Sequence, residues 1–428
     1  MNSWFDLRKV IRRHFRQLSI VTVCNVAMQV ISVIGFVFIA RLYQAEQVGE
    51  YLIFIAYVGI ISILSTGYYD QALYVEKRFT KVRLLKLIPI GFAFIISIPV
   101  GLALYLADVP YVPYILVAGI SSGINKTAVN INISQNKLIF TSIYRLITAP
   151  LVPGFIIAVA FLLEAKSEWM IATYSMISLV ISIIFYLMTN PFKEMKFDAN
   201  LRGTLILSLA LIRRYRKFFF YGMFGELIGT AAYRMPVILI SSFFGVTYAA
   251  YFGVAMRVVL TPTSVLCGTV SQMFLHKISA NKKNNIASMN TFLKSFALLS
   301  IVGMLASLVC VTVASPIIVM LFTDKYAMVG EVVFWLAPLI FSLIAISPLG
   351  HVLTIYEKQE YPFYNKIAQL VLSVASFSIG FYFDSFLLGV QGFSLSMTLI
   401  YLVIMGQNIH VLLNYDSAYK NKLEHKHV

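Results

Sequence analysis

The sequence predicts an all-α membrane protein: about twelve transmembrane helices in two six-helix bundles around a central cavity, with both termini cytoplasmic. Three observations carry this expectation. Of 428 residues, 59% are hydrophobic and only 12% charged, with a mean hydropathy of +0.82, which is far more apolar than a soluble domain. Apolar windows of about 20 residues, the length needed to cross the hydrocarbon of a bilayer, recur from end to end. The Lys and Arg residues gather in alternate connections, as the positive-inside bias requires.

The windows lie near residues 18–39, 51–74, 84–106, 111–134, 141–163, 169–189, 218–243, 248–273, 292–321, 332–355, 363–383 and 388–412. The first follows a basic N-terminus but is too long for a signal-peptide core, and no small-residue cleavage site follows it. It is therefore kept as a mature helix. The ninth is long enough to bend at Pro316 or to run past the bilayer.

Clusters at Arg8–Arg16, Lys77–Lys86, Lys193–Lys217, Lys277–Lys294 and Lys420–Lys426, with Lys137, Arg145, Lys358 and Lys366, mark one side. The other side carries Arg41, Lys166 and Lys325. A net charge of +16 thus reflects topology, not a nucleic-acid surface, since no continuous basic domain exists. Cys24, Cys267 and Cys310 fall inside apolar runs and read as buried thiols without a disulfide framework or metal spacing.

The longest connection divides the chain into an N-terminal bundle 1–190, a cytoplasmic linker 191–217, a C-terminal bundle 218–413 and a basic tail 414–428. The linker contains LRGTLILSLALIRRYRK, an apolar segment ending in cations, whose simplest reading is an interfacial helix meeting anionic headgroups. The halves resemble each other where FIARLYQAEQVGEYLIF, residues 38–54, is laid on LISSFFGVTYAAYFGVA, residues 239–255. An offset of about 200 residues is what a duplicated six-helix unit produces.

Charges inside apolar spans need a reason, because each costs about 3 kcal/mol at bilayer depth on insertion scales. Arg234 and Arg257 fall on either side of the turn near residues 245–248, about mid-depth in the seventh and eighth spans. They either line a cationic cavity or are paired with Glu226 and other carboxylates. In the fourth span Ser122, Lys126 and Asn130 recur at i, i+4 and i+8, forming one polar stripe. Lys126 either adds a third cation to the cavity or snorkels to the nearer interface.

Asn25 and Gln29 form a similar stripe in the first span, serving either interhelical hydrogen bonds or substrate contact. Asp70 and Glu226 are candidates for a carboxylate responding to H+ or Na+, or for counter-ions of nearby cations. Pro236, Pro262, Pro316, Pro338 and Pro348 are expected to kink later spans. His351 reads as a packed residue before a relay. Phosphate-binding, zinc-protease and nucleophile-elbow motifs are missing from the sequence, so catalytic and metal residues are not assigned and no cofactor is expected.

The stretch YRMPVILISSFFGVTYAAYFGVAMRVVLTPTSVLCGTVSQMFLHKIS carries Arg234, Phe244-Gly245, Ala250-Tyr251, Ala255 with Arg257, Pro262 and Gln272. It resembles helices seven and eight of bacterial oligosaccharide-lipid flippases of the multidrug, oligosaccharide-lipid and polysaccharide exporter superfamily. ARLYQAEQVGEY, residues 40–51, resembles the first outer turn of that family, with Ala45 in place of its usual Pro and Val48 in place of Phe. The resemblance implies a multi-pass protein of the bacterial inner membrane that flips a polyprenyl-diphosphate-linked oligosaccharide from the cytoplasmic to the periplasmic leaflet by alternating access, for O-antigen or capsule assembly. It implies a monomer whose partners are the lipid-linked oligosaccharide, the bilayer and a polysaccharide polymerase machinery. Arg234, Arg257 and Lys126 would hold the diphosphate, since mid-membrane cations suit such an anion. Asn25, Gln29, Ser122 and Asn130 would line the polar cavity. An ion-coupled multidrug exporter of the same superfamily and a membrane polymerase or ligase of lipid-linked sugars are the alternatives. The first would favour an acidic, aromatic site and the second long periplasmic loops.

Overall fold

The computed structural model describes residues 2–76, 79–190, 201–284 and 286–424. The first part of the expected linker, residues 191–200, and the end of the basic tail, residues 425–428, lie outside them. The described chain is helical throughout and divides into two compact units, Met1–Thr230 and Ala231–Val428. Ten segments among the described residues are long and apolar enough to cross a membrane. The remaining two expected windows coincide with helices of 23 residues each, Val112–Ser134 and Glu360–Tyr382, whose polar residues lower their hydropathy.

In the first unit the helices are α1 (Asn2–Leu42), α2 (Ala45–Leu64), α3 (Phe79–Leu106), α4 (Val112–Ser134), α5 (Leu138–Thr148), α6 (Leu151–Leu162), α7 (Ser167–Met188) and α8 (Leu201–Arg214). Pro150 separates α5 from α6 within one span, Leu138–Leu162. The centre of the unit is α4, which packs along α7, α3 and α2. Because lipid is as apolar as a leucine side chain, close van der Waals contact and interhelical hydrogen bonds hold such a bundle. Both are present: Tyr144 stacks on Phe185 with ring centroids 4.2 Å apart, and the Ser121 and Ser182 hydroxyls lie 3.0 Å apart between α4 and α7.

The second span departs from expectation. The window 51–74 predicts one continuous helix, but α2 stops at Leu64 and the chain continues through a turn into a 3-10 segment, Tyr69–Tyr74. Gly67 and Tyr68 both take positive φ, 54° and 64°, which an α-helix cannot absorb. The Thr66 hydroxyl accepts the Tyr68 N–H at 3.3 Å and helps hold the turn. A side chain at Gly67 would also meet the Phe92 ring at 2.7 Å.

The linker helix α8 packs on the first unit, with Leu211, and Tyr215 just past its end, buried in one cluster with Leu85 and Phe185. The chain then enters the seventh span through a π-helical turn, Phe218–Met223.

The second unit is formed by most of α9 (Phe224–Phe243) with α10 (Val246–Lys283), α11 (Met289–Phe322), α12 (Ala327–Trp335), α13 (Ala337–Ala345), α14 (His351–Ile355), α15 (Glu360–Tyr382) and α16 (Phe386–Glu424). Its core includes Phe274, Ile278, Phe292, Val352 and Leu412 from α10, α11, α14 and α16. Pro236, Pro262 and Pro316 lie inside helices. Pro338 instead starts α13, and Pro348 sits in a 3-10 turn, so the tenth span is broken into short pieces. Asp416 of α16 accepts the backbone N–H groups of Ser288 and Met289 at 3.0–3.1 Å. A carboxylate there suits both the orphan amides and the positive dipole end of α11.

The expected likeness of the halves has a structural counterpart. The break between α1 and α2 falls at Tyr43-Gln44, and that between α9 and α10 at Phe244-Gly245.

Candidate functional site

A cavity of about 200 Å³ opens in the first unit where the broken end of α2 meets α4. Its walls carry Asp70 and Gln71 from the 3-10 segment, Lys126 and Asn130 from α4, Arg145 from α5, and Glu226 from the first turn of α9. The break in α2 shapes the site, because Thr66, Tyr68, Asp70 and Gln71 of its lining come from the turn and 3-10 segment that follow the helix. Close approach requires a small residue on α4: a Cβ at Gly123 would fall 2.5 Å from the Ser65 hydroxyl.

Asp70, Asn130 and Lys126 are held in place by hydrogen bonds. The Asn130 Nδ2 donates to the Asp70 carboxylate, and its Oδ1 accepts the Tyr74 hydroxyl at 2.7 Å. Lys126 Nζ donates to the Ser62 carbonyl at 3.2 Å and the Ser62 hydroxyl at 3.1 Å, which anchors the ammonium to the last turn of α2. Asp70 is 3% exposed, and its Oδ1 has no hydrogen-bond partner among the described residues. Burial therefore pushes the Asp70 carboxyl above its ordinary value, while Thr66, the Lys126 charge and Asn130 pull it back.

Two cations and two carboxylates face one cavity, so the site is of mixed charge. Such walls can donate to an anionic or hydroxylated headgroup through Lys126 and Arg145. They can also accept from it through Asp70 and Glu226, or take up a proton. Among the described residues, no cluster of His, Cys, Asp and Glu could hold a metal ion.

Of the residues singled out from sequence, Asp70, Lys126, Asn130 and Glu226 come together here. Ser122 is half-buried one turn earlier on α4, and on α1 Asn25 is exposed and Gln29 half-buried; these three do not line the cavity. Arg234, exposed on α9, and Arg257, half-buried on α10, belong to the second unit. Beyond their turn, α9 and α10 do not pack along one another. His351 is exposed.

Sequence reasoning missed Arg145, which it assigned to a cytoplasmic connection. It lies within the span Leu138–Leu162, and its separation from Lys137 by two helical turns was the available signal. The cavity also uses Thr66, Tyr68 and Gln71, which a window read as plain helix had hidden.

The family model described as "Polysaccharide biosynthesis protein" matches residues 90–331. Several solved structures share the fold. The lipid II flippase MurJ, in an inward closed conformation, superposes with a TM-score of 0.69 at 13% identity, covering 93% of this chain and 90% of its own. A multidrug-resistance MATE family transporter of the MOP superfamily, facing inward, gives 0.61 at 14% identity, with 95% and 98% covered. A MOP superfamily transporter from Pyrococcus furiosus gives 0.52 at 11% identity, with 94% and 97% covered. Among curated proteins no sequence match is found.

Proposed function

This chain belongs to the polysaccharide biosynthesis protein family, and on that footing we propose that it flips polyprenyl-diphosphate-linked oligosaccharide repeat units across the bacterial inner membrane by alternating access, for O-antigen or capsule assembly. The observation that carries the reading is the polar, mixed-charge cavity at Asp70, Lys126, Asn130 and Arg145 within an otherwise apolar unit. A lipid-linked headgroup needs such a polar environment to pass hydrocarbon, while its tail remains in lipid. Lys126 offers a charge-assisted donor to phosphate, and Asn130 with Gln71 can bond sugar hydroxyls.

Arg234 and Arg257 are further proposed contacts for the diphosphate, and Asn25, Gln29 and Ser122 for the sugar. Asp70 and Glu226 serve either as counter-ions to Lys126 and Arg145 or in coupling to H+ or Na+. The protein acts as a monomer and delivers its cargo to a polymerase machinery, without itself catalysing a reaction. The shared fold with MurJ, itself a flippase of lipid II, supports this choice of cargo class.

The two carboxylates at the cavity, Asp70 and Glu226, also favour a second reading, export of organic cations. The two are separated by Arg234→Ala and Arg257→Ala in cells making surface polysaccharide. The flippase reading expects polysaccharide to be lost at unchanged membrane levels of protein. Normal polysaccharide in both variants would remove the two arginines from the site, and drug sensitivity without polysaccharide loss would select the exporter.

A further inference from the structure

We propose that the end of α8 and the turn that follows it form a docking surface for anionic phospholipid headgroups, separate from the cargo cavity. At 100° per residue along α8, Ile206, Leu209 and Arg213 fall opposite Leu211, and Tyr215, Arg216 and Lys217 follow directly after the helix ends at Arg214. Burial follows this division. Leu211 is 2% and Tyr215 7% exposed, whereas Ile206 is 67% and Leu209 56% exposed, and Arg213, Arg214, Arg216 and Lys217 are all exposed.

The roll of the helix is pinned from its buried side. The Tyr215 hydroxyl donates to Glu76 Oε2 at 2.9 Å. Arg214 lies 3.9 Å from the same carboxylate and over the Tyr215 ring at 5.5 Å. With that side fixed to the first unit, Ile206, Leu209, Arg213, Arg216 and Lys217 are left exposed.

What covers them follows from charge and position. The cluster stands immediately before the span Phe218–Phe243, so it lies where headgroups are, and exposed Phe220 and Tyr221 add the aromatic residues that favour that depth. Apolar residues beside a dense group of cations next to a span suit an anionic leaflet in preference to a zwitterionic one.

The test uses the full chain with Leu209→Cys, in a background of Cys24→Ala, Cys267→Ala and Cys310→Ala, carrying a bimane label. The protein is placed in vesicles that contain equal fractions of brominated phosphatidylglycerol or brominated phosphatidylcholine. Quenching is expected from both lipids, with a severalfold excess from phosphatidylglycerol. That excess should vanish at about 0.5 M salt, where charges are screened within a few ångströms. It should also vanish in the triple variant Arg213→Gln, Arg216→Gln, Lys217→Gln. A label at Leu298→Cys, on the exposed face of α11, should be quenched equally by both lipids at any salt. Equal quenching at Leu209→Cys would overturn the proposal. No quenching by either lipid would overturn it as well, and would assign the surface to a soluble acidic partner.

Discussion

Asn130 donates from its Nδ2 to the carboxylate of Asp70 while accepting the Tyr74 hydroxyl at 2.7 Å. One amide thus ties α4 to the 3-10 segment through both of its polar atoms. Replacing it leaves a buried carboxylate and a phenol without their partner. Asn130→Ala should therefore lower stability by about 1–3 kcal/mol, and Asn130→Asp by more, because it sets two carboxylates together. Thermal unfolding of the purified protein in detergent measures both. A melting temperature unchanged in either variant would show that the network is not formed.

Asp70 supplies a pH dependence of definite sign. Its carboxyl is raised by burial, so the folded state holds the proton more tightly than the unfolded chain does. The resulting penalty is absent below the ordinary carboxylate range and grows as pH rises through the raised folded value. Asp70→Asn, which cannot ionise, should remove that loss across the interval and leave the acid side unchanged. Melting temperatures of the two proteins across a pH series give the comparison, and parallel curves would contradict it.

The break after α2 depends on Gly67. Its φ of 54° and the Phe92 ring 2.7 Å from a would-be Cβ both oppose a side chain. Gly67→Ala should cost about 1–2 kcal/mol or more. Gly91→Ala in α3 is the control, since no atom lies within 4 Å of its added Cβ. Equal stability of the two variants would mean that the turn is not held as described.

Lys126 separates an anchor from a binding group. Both its hydrogen bonds go to Ser62, so Ser62→Ala removes one and leaves the backbone carbonyl. The expected outcome is modest loss of surface polysaccharide in Ser62→Ala and complete loss in Lys126→Met, with both proteins present in the membrane. Quantitative immunoblotting against cell-surface sugar decides it, and full polysaccharide in Lys126→Met would take the ammonium out of the cargo path.

Much of the fold could be read from hydropathy alone, since the expected windows fall on helix apart from the breaks in the second, fifth and tenth, and the breaks at Tyr43-Gln44 and Phe244-Gly245 match the sequence alignment of the halves. The polar stripe of α4 was legible because Lys126 and Asn130 are four residues apart. What hydropathy could not show was direction. A window average treats Leu64–Tyr74 as more helix, although Gly67 and Tyr68, both at positive φ, break the helix there. It also assigns Arg145 to a loop, because one cation near a window edge looks the same whether it faces water or a cavity. Similarly, Leu211 and Tyr215 looked like part of a free amphipathic surface, and only packing against α3 and α7 distinguishes their face from that of Leu209.

The central claim is movement of a lipid-linked oligosaccharide between leaflets, and the leaflet distribution of that lipid tests it most directly. Cells depleted of the protein, with the polymerase left intact, can be converted to sealed spheroplasts and treated with an impermeant reagent that oxidises exposed sugars. The account predicts that lipid-linked repeat units accumulate and stay protected on the inner leaflet, then become accessible when the wild-type chain is restored but not when Lys126→Met is. Accessible repeat units in the depleted cells, at the same level as in the wild type, would contradict it.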